Sequence, residues 1–546
     1  MTTGARKDLE EITPIEQALT SGNTPPTLGA FIEERARSLG NQTAGIWFQD
    51  SRQLTYRDIH EQADRLASSL SRLGMRKGAH VGVMLPNIPE TLVTWTAIGR
   101  IGAVMVPINF GYTPTELAFV LNDSDAQYLI VDESCLDRFD AMAERPRMII
   151  DSRVIVVGTA PAGRLTWGGL VTQGAFPFEP PVKVEGSDLL NIQYTSGTTG
   201  FPKGCMLTHD YWMRTGYSLA FTRGGESAGR NVLVWAPFYY MDGMWQILSA
   251  FCLGGTAHIV RRMSIKHFLD WLREFKIDSC TFPEAALKAF PAGPADEDIR
   301  LKYIYAFGWR AESKREAERR FGCRARDAYG MTELGTATVT PIHCGERNFQ
   351  RTCGTPAPQR KLKIVDETGK EVERGALGEL WVSGPGIMWG YYKRPDANAE
   401  CFRGRWFRTG DIFRQDEDGY YFIVGRIKDM VKRSGENIAA REVEGVLNTL
   451  EEVLESAIVP VPDPQRGEEV KAYIRLREGL SKERCVPDRI VAHCAQHLAG
   501  FKLPRYIEYV EDFPRTATGK IAKRTLIDST SDLKQNSYDR IDQIWR

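Results

Sequence analysis

Residues 194 to 204 read Tyr-Thr-Ser-Gly-Thr-Thr-Gly-Phe-Pro-Lys-Gly, and no other stretch restricts the fold of this chain so strongly. Four small hydroxyl side chains (Thr195, Ser196, Thr198, Thr199) and three glycines (Gly197, Gly200, Gly204) surround Lys203. Glycine lets the backbone turn its N–H groups inward, and the hydroxyls and the lysine add further donors, a set suited to a polyphosphate. The apolar-rich run Leu189-Leu190-Asn191-Ile192-Gln193-Tyr194 leads into it and reads as a strand. Walker A spacing does not fit. A Ser/Thr/Gly cluster is by itself more often a solvated surface loop, so composition alone leaves both readings open.

The rest of the chain alternates helix and strand. Ile59, Ala63, Leu66, Ala67, Leu70 and Leu73 repeat at helical spacing, with Thr55 as N-cap and Gly74 as stop. Strands are expected at Val81–Leu85 and Ile101–Ile108. This alternation predicts an α/β fold of layered sheets covered by helices. After about residue 350, Gly/Pro punctuation and short apolar runs (362–365, 378–382) predict a strand-rich subdomain. Beyond Gly425–Asp429 lies a compact α+β unit. Val443, Val446, Leu447 and Leu450 mark one helix there, and Ile490, Val491, Cys494 and Leu498 a second. Strands are expected at Ala457–Val461 and Val470–Leu476.

Composition excludes several function classes. A chain of 546 residues exceeds one compact core, so two or more domains are expected. Basic and acidic residues number 70 each, which removes any general electrostatic case for nucleic acid as partner. Ten cysteines at irregular spacing carry no metal-ligand pattern and read as reduced, packed thiols. The polar first 25 residues lack a signal-peptide layout, and no apolar run is long enough to span a membrane, so a cytoplasmic protein is expected.

Five further segments follow the 194–204 loop in order: Tyr-Gly-Met-Thr-Glu at 329–333, Gly-Glu-Leu at 378–380, Arg-Thr-Gly-Asp at 408–411, the run 425–438, and Pro-Arg-Thr-Ala-Thr-Gly-Lys at 514–520. Together they resemble the motif set of the adenylate-forming superfamily, which includes acyl-CoA ligases, firefly-type luciferases and peptide-synthetase adenylation domains. The resemblance covers nearly the whole chain. It implies a large domain over 27–427 and a small C-terminal lid over 428–528 hinged at Lys428; the sequence itself reads as a loose lead-in over 1–26, ending at Pro25-Pro26, and a polar tail over 529–546. It also implies an AMP-forming acid–CoA ligase using ATP, Mg²⁺ and coenzyme A on a small carboxylic acid. A carboxylate attacks the α-phosphate of ATP and pyrophosphate leaves; a thiol then attacks the acyl carbonyl and AMP leaves. A carrier-protein thiol is the alternative acceptor, and homodimerisation is left open.

Residue roles follow from the same resemblance. Thr195, Ser196, Gly197, Thr198, Thr199, Gly200 and Lys203 would cradle the β- and γ-phosphates. Glu333, with Thr198, would hold Mg²⁺, and Thr332 would donate to the α-phosphate. Tyr329, beside Gly330, would stack on adenine, Asp411 would accept from the ribose hydroxyls, and Arg426 would contact ribose or phosphate. Lys520 would bridge the substrate carboxylate and the α-phosphate, and only a cation reaching both in the transition state lowers the barrier. After lid rotation, Lys432, Arg433 and Gly435 would meet coenzyme A.

The chain also departs from that family. Where many acyl-CoA ligases have Pro-Leu-Phe-His-x-x-Gly, this chain has Pro237-Phe238-Tyr239-Tyr240-Met241-Asp242-Gly243, so Tyr240 replaces the histidine. A small Gly-Gly-Ala-type turn becomes Gly308-Trp309-Arg310-Ala311. Tyr239, Tyr240, Trp245 and Trp309 are expected round the acyl group with Asp242 among them. Aromatic faces plus one carboxylate suit a cationic head group, and the 237–243 segment looks like that of carnitine and crotonobetaine CoA ligases. Pairing of Arg310 with a substrate's distal carboxylate is a second option. Against both stands the plain alternative that aromatics and a capped aspartate simply build a pocket wall.

Overall fold

The computed structural model describes residues 17, 19, 21, 24–195, 202–224, 229–434, 436–515 and 520–546, with the Asn437 side chain left aside. Ser196, Gly197, Thr198, Thr199, Gly200 and Gly435 therefore lie outside the described residues, as does most of the 1–26 lead-in.

Two seven-stranded sheets form the large domain. The first runs Leu165–Thr166, Val154–Val157, Tyr128–Asp132, His80–Met84, Val104–Pro107, Leu189–Thr195 and Lys203–Thr208. The second runs Arg324–Arg326, Tyr303–Tyr305, Ser279–Thr281, Asn231–Val234, Thr256–Ile259, Thr43–Trp47 and Arg52–Thr55. Both are parallel except for the last pair, which is antiparallel. Parallel strands need crossovers, and the helices that supply them cover the faces. The helix Tyr56–Arg72 shows the local logic. The Thr55 hydroxyl accepts from the Asp58 N–H while the Asp58 carboxylate accepts from the Thr55 N–H, a capping box. Ile59, Ala63, Leu66, Ala67 and Leu70 lie along its buried face.

One strand expectation is corrected. Ile101 ends the helix Pro89–Ile101, Gly102 terminates that helix in the left-handed region (φ 76°), and the strand begins only at Val104. A left-handed stop of this kind favours glycine because it has no Cβ.

A three-stranded sheet (Ala328–Met331, Gly335–Val339, Thr355–Pro356) and a five-stranded antiparallel sheet follow, the latter ending with Tyr421–Arg426. A single 3₁₀ turn at Ile427–Asp429 separates that sheet from the next, whose first strand is Met430–Arg433. Around this last sheet pack the helices Ala440–Leu447 and Pro487–His497, with a separate core of Val431, Ile438, Val443, Leu447, Ile474 and Ile490 among others. The 529–546 tail joins this unit: Tyr538–Asp539 and Ile544–Trp545 extend its sheet beyond Tyr506–Tyr509. Asp539 accepts hydrogen bonds from Arg505 and Arg546, and the buried Lys471 ammonium donates to the Leu533 carbonyl. All ten cysteines are free thiols and nine are buried. Among the described residues no helix is long and apolar enough to cross a membrane.

Candidate active site

The two strands flanking the glycine-rich segment form a hairpin, Leu189–Thr195 against Lys203–Thr208, with Thr195 opposite Lys203. Lys203 leaves this hairpin with its ammonium 4.5 Å from the ring centre of Tyr391. The Tyr391 hydroxyl donates to Glu333 Oε1 at 2.8 Å. Lysine, tyrosine and glutamate thus form one continuous set, which brings the proposed phosphate lysine and the proposed metal carboxylate together. Burial, with the neighbouring Glu333 carboxylate adding to it, pushes the Tyr391 phenol far above its ordinary value, so it stays a neutral donor. Glu333 is 8% exposed and its own carbonyl accepts from the Met388 N–H.

The motif Tyr329–Glu333 sits on the hairpin Ala328–Met331 and Gly335–Val339. A Cβ on Gly330 would lie 2.4 Å from the Gly335 carbonyl oxygen, so this turn admits only glycine. The Tyr329 hydroxyl donates to Asp411 Oδ2 at 2.6 Å, and its ring packs edge-on to Phe413. Arg426 Nε lies 3.2 Å from Asp411 Oδ1, an ion pair without hydrogen-bond alignment. Burial raises the Asp411 carboxyl; the hydrogen bond from Tyr329 and the charges of Arg426 and Arg441 act against it. Oδ1, whose partner is the exposed Arg426 rather than a buried donor, is the atom suited to accept from a ligand hydroxyl. Thr332 is half-buried beside Glu333.

The segment 236–245 is anchored by residues that its own sequence does not reveal. Asn87 Nδ2 donates to the carbonyls of Ala236 and Val260, both at 3.0 Å, and Asn87 Oδ1 accepts from the Phe238 N–H at 2.8 Å. Gln193 Nε2 donates to the Tyr239 carbonyl at 2.5 Å, and Asn109 Nδ2 donates to the Tyr240 hydroxyl at 3.2 Å. Tyr239 and Tyr240 stand edge to face, 4.7 Å apart. A Cβ on Gly243 would meet the carbonyl oxygens of Ala236 and Pro237 at 2.6 and 2.7 Å, so the tight turn into the helix Met241–Cys252 needs glycine. The Trp245 indole N–H donates to Asp242 Oδ1 at 2.9 Å, and its ring is buried edge-on to Tyr305. The Asp242 carboxylate itself reaches solvent. Protein nevertheless crowds it on most sides, as expected of a cleft wall, and this loss of bulk water raises its pKa while the Trp245 hydrogen bond and the Lys520 charge act against the rise.

Lys520 belongs to the lid and shares this cleft. Desolvation and the nearby guanidiniums of Arg426 and Arg441 lower its pKa, while Asp242 and Asp411 act the opposite way. Its side chain stays solvent-accessible, as a group meeting a substrate must. Lys520 thus lies within electrostatic reach of both the Asp411 and the Asp242 ends of the site. Arg441, which no sequence motif had singled out, lies there too.

Three expected ligand-facing residues are engaged elsewhere. Trp309 is 4% exposed and packs edge-on to Phe282 in a second core, so little of its ring is left to line a pocket. Arg310 donates to the Asn448 carbonyl at 2.8 Å, which ties up the guanidinium proposed for a distal carboxylate. Arg433 is buried, pairs with Glu469 through Nε at 2.6 Å and donates to the Phe501 carbonyl, so in this arrangement its guanidinium is held within the lid. Lys432 and Lys428 remain exposed.

One cleft thus gathers the buried Asp411 carboxylate, the Lys203–Tyr391–Glu333 set and Lys520 of the C-terminal unit. The AMP-binding enzyme family matches residues 32–392, and the AMP-binding enzyme C-terminal domain matches residues 442–520. The chain belongs to this family, the adenylate-forming superfamily, and is an enzyme of the AMP-forming acyl-CoA synthetase type. It is 31% identical over 511 residues to a sulfoacetate–CoA ligase of Cupriavidus necator, covering 92% of this chain and 97% of the relative. A crotonobetaine/carnitine–CoA ligase of Proteus mirabilis is 28% identical over 490 residues, 87% of this chain and 93% of the relative. The ATP-bound crystal structure of MatB from Rhodopseudomonas palustris superposes with a TM-score of 0.82 at 26% identity, covering 93% of this chain and 99% of that one.

Proposed function

We propose that the protein joins a small carboxylic acid bearing a cationic group to coenzyme A in two steps within one cleft. In the first, a carboxylate oxygen of the acid attacks the α-phosphorus of ATP and pyrophosphate leaves. In the second, the coenzyme A thiolate attacks the acyl carbonyl carbon and AMP leaves. No protein nucleophile is needed; the protein orients the reactants and screens charge. Asp411 Oδ1 accepts from ribose, Lys203 meets the outer phosphates, and Lys520 stands between substrate carboxylate and α-phosphate. A divalent cation fits in one way. The buried Glu333 carboxylate, oriented by the Tyr391 hydroxyl next to Lys203, would supply the protein ligand and the phosphates the rest. Such an ion, when bound, offsets the repulsion between carboxylate and triphosphate.

The acid's class rests on a single observation: Asp242, held by the Trp245 indole, is exposed within electrostatic reach of Lys520, and the Tyr239–Tyr240 ring pair belongs to the same anchored segment. A carboxylate and aromatic faces together favour an ammonium or betaine group. The crotonobetaine/carnitine–CoA ligase relative supports the same class, whereas the sulfoacetate–CoA ligase relative is named for an anionic acid, which is why the panel below includes sulfonated acids.

The test is a panel of fatty, aryl, dicarboxylic, sulfonated and betaine acids with ATP, Mg²⁺ and coenzyme A, read by AMP and acyl-CoA. Turnover of cationic acids, lost on Asp242→Asn, is expected. Preference for neutral acids with indifference to Asp242→Asn refutes the substrate class. Pyrophosphate exchange without acyl-CoA assigns the thiol to a carrier protein instead.

A further inference from the structure

The turn Gly308-Trp309-Arg310 is bulkier than the sequence pattern around it predicts, yet neither large side chain serves the acyl site. The geometry points to a different use: this turn is the seat of the lid helix Ala440–Leu447, and Arg310 is a positioning residue that latches the lid in the arrangement that presents Lys520. The inference rests on the two-step reading above.

One hydrogen bond and two close approaches carry it, all on one helix. At the first turn, Arg441 Nη2 lies 3.4 Å from where a Cβ on Gly308 would sit, so the guanidinium packs against this turn, whose left-handed backbone (φ 67°) favours glycine. In the middle, Arg351 Nη1 lies 3.8 Å from where a Cβ on Gly445 would sit. At the far end, the Arg310 guanidinium donates to the carbonyl of Asn448, the C-cap residue, at 2.8 Å. Positions 441, 445 and 448 are spaced i, i+4, i+7 and share one face. Val443 and Leu447 occupy the opposite face and are buried in the lid core. The helix is therefore anchored in the lid by one side and docked on the large domain by the other.

The latch has physical sense at each partner. The last carbonyls of a helix lack intrahelical donors and carry the negative end of its dipole, so a guanidinium is well placed there. The turn itself is stiff: the Gly308 N–H donates to Asp327 Oδ1 and Oδ2 at 3.2 and 3.1 Å, and the buried Lys314 ammonium lies 3.3 Å from Asp327. The Ile427–Asp429 turn is the link on which the lid would swing, and a swing would break the hydrogen bond and both close approaches together. Arg310 then weights the equilibrium toward the adenylating arrangement without touching substrate.

The full-length protein and its Arg310→Ala and Arg310→Lys variants test this. Hydrogen–deuterium exchange of residues 440–448 reads docking without substrate. Single-turnover adenylation, and thioester formation from supplied acyl-adenylate, read the two half-reactions. Arg310→Ala is expected to speed exchange in the helix and slow adenylation by about tenfold, the worth of one charge-assisted hydrogen bond, with thioester formation unchanged or faster. Arg310→Lys, which can still donate to one carbonyl, should fall between. Equal loss in both half-reactions, or unchanged exchange, overturns the latch. A raised KM for the acid with unchanged exchange returns Arg310 to the acyl pocket. If the wild type forms no acyl-CoA, the two-step reading fails while the exchange result still decides the latch.

Discussion

Replacing Tyr391 with phenylalanine removes one oxygen and keeps the ring. The lost contact is the hydroxyl donating to Glu333 Oε1 at 2.8 Å. The retained one is the Lys203 ammonium 4.5 Å from the ring centre. A hydrogen bond to a charged group contributes about 1.5–3 kcal/mol, roughly 10- to 100-fold in an equilibrium or rate. Glu333 is 8% exposed, so water replaces the missing donor poorly. The carboxylate then loses its fixed orientation beside the phosphate lysine, and kcat/KM for ATP should fall by about tenfold or more. ATP–pyrophosphate exchange at saturating acid measures this, with a melting curve to show that the fold persists. Tyr391→Leu also loses the cation–π contact, about 0.5–2 kcal/mol, and should fall further. A Tyr391→Phe enzyme indistinguishable from wild type in ATP exchange refutes the reasoning. So does one impaired only in thioester formation.

Lys520→Ala should abolish adenylation yet form thioester from supplied acyl-adenylate at near the wild-type rate; parallel loss of both would deny the division of labour. Trp245→Phe removes the donor to Asp242 Oδ1 and should weaken binding of cationic acids while sparing ATP, which isothermal titration of each ligand distinguishes. Asp242 also makes a stability prediction. Its carboxyl is raised by partial loss of water although the residue reaches solvent, so ionisation opposes folding weakly at neutral pH, and that small penalty fades as pH falls through the raised pKa. Asp242→Asn should therefore melt higher than wild type at neutral pH, with the gap closing on acidification; a gap that widens contradicts the sign. For Asp539 the sign reverses. Burial alone would raise its carboxyl, but hydrogen bonds from Arg505 and Arg546 bring it down to about 2. Its contribution is present above the ordinary carboxylate value of about 4 and lost as pH falls toward 2. Asp539→Asn should destabilise the lid at neutral pH and make no difference below that range, as read by hydrogen–deuterium exchange of residues 538–546.

What the sequence discloses follows the range of the interactions involved. The Thr55–Asp58 cap and the buried face of Tyr56–Arg72 are legible because every partner lies within a few turns. Ile101–Ile108 misleads because a buried helix end and a buried strand start are both apolar, and only the left-handed Gly102 divides them. At the site, the motif residues Lys203, Glu333, Tyr329 and Asp411 are recognisable in order along the chain. Tyr391, Asn87 and Gln193 are not, since each acts through a contact with a residue distant in sequence and no local period marks it. Arg433 shows the converse. A basic pair on a strand looks available to an anionic ligand until the fold brings Glu469, 36 positions later, against it. Trp309 and Arg310 read as pocket residues from their neighbourhood in the chain, but one faces a core and the other a neighbouring domain.

The Asn87 side chain has a consequence for how such an enzyme changes its diet. It follows the strand His80–Met84 of one sheet, yet its amide grips Ala236, Phe238 and Val260, which follow two strands of the other. The wall that meets the acid is thus hung from a peg outside itself, while Tyr329 and Asp411 stand on separate hairpins. Side chains along that wall should be exchangeable with little effect on Tyr329 and Asp411, while the backbone of the wall stays tied through Gln193 to the strand that leads into the glycine-rich segment. A transplant of residues 236–245 into a relative should carry its preference along only where the recipient has an asparagine at the peg.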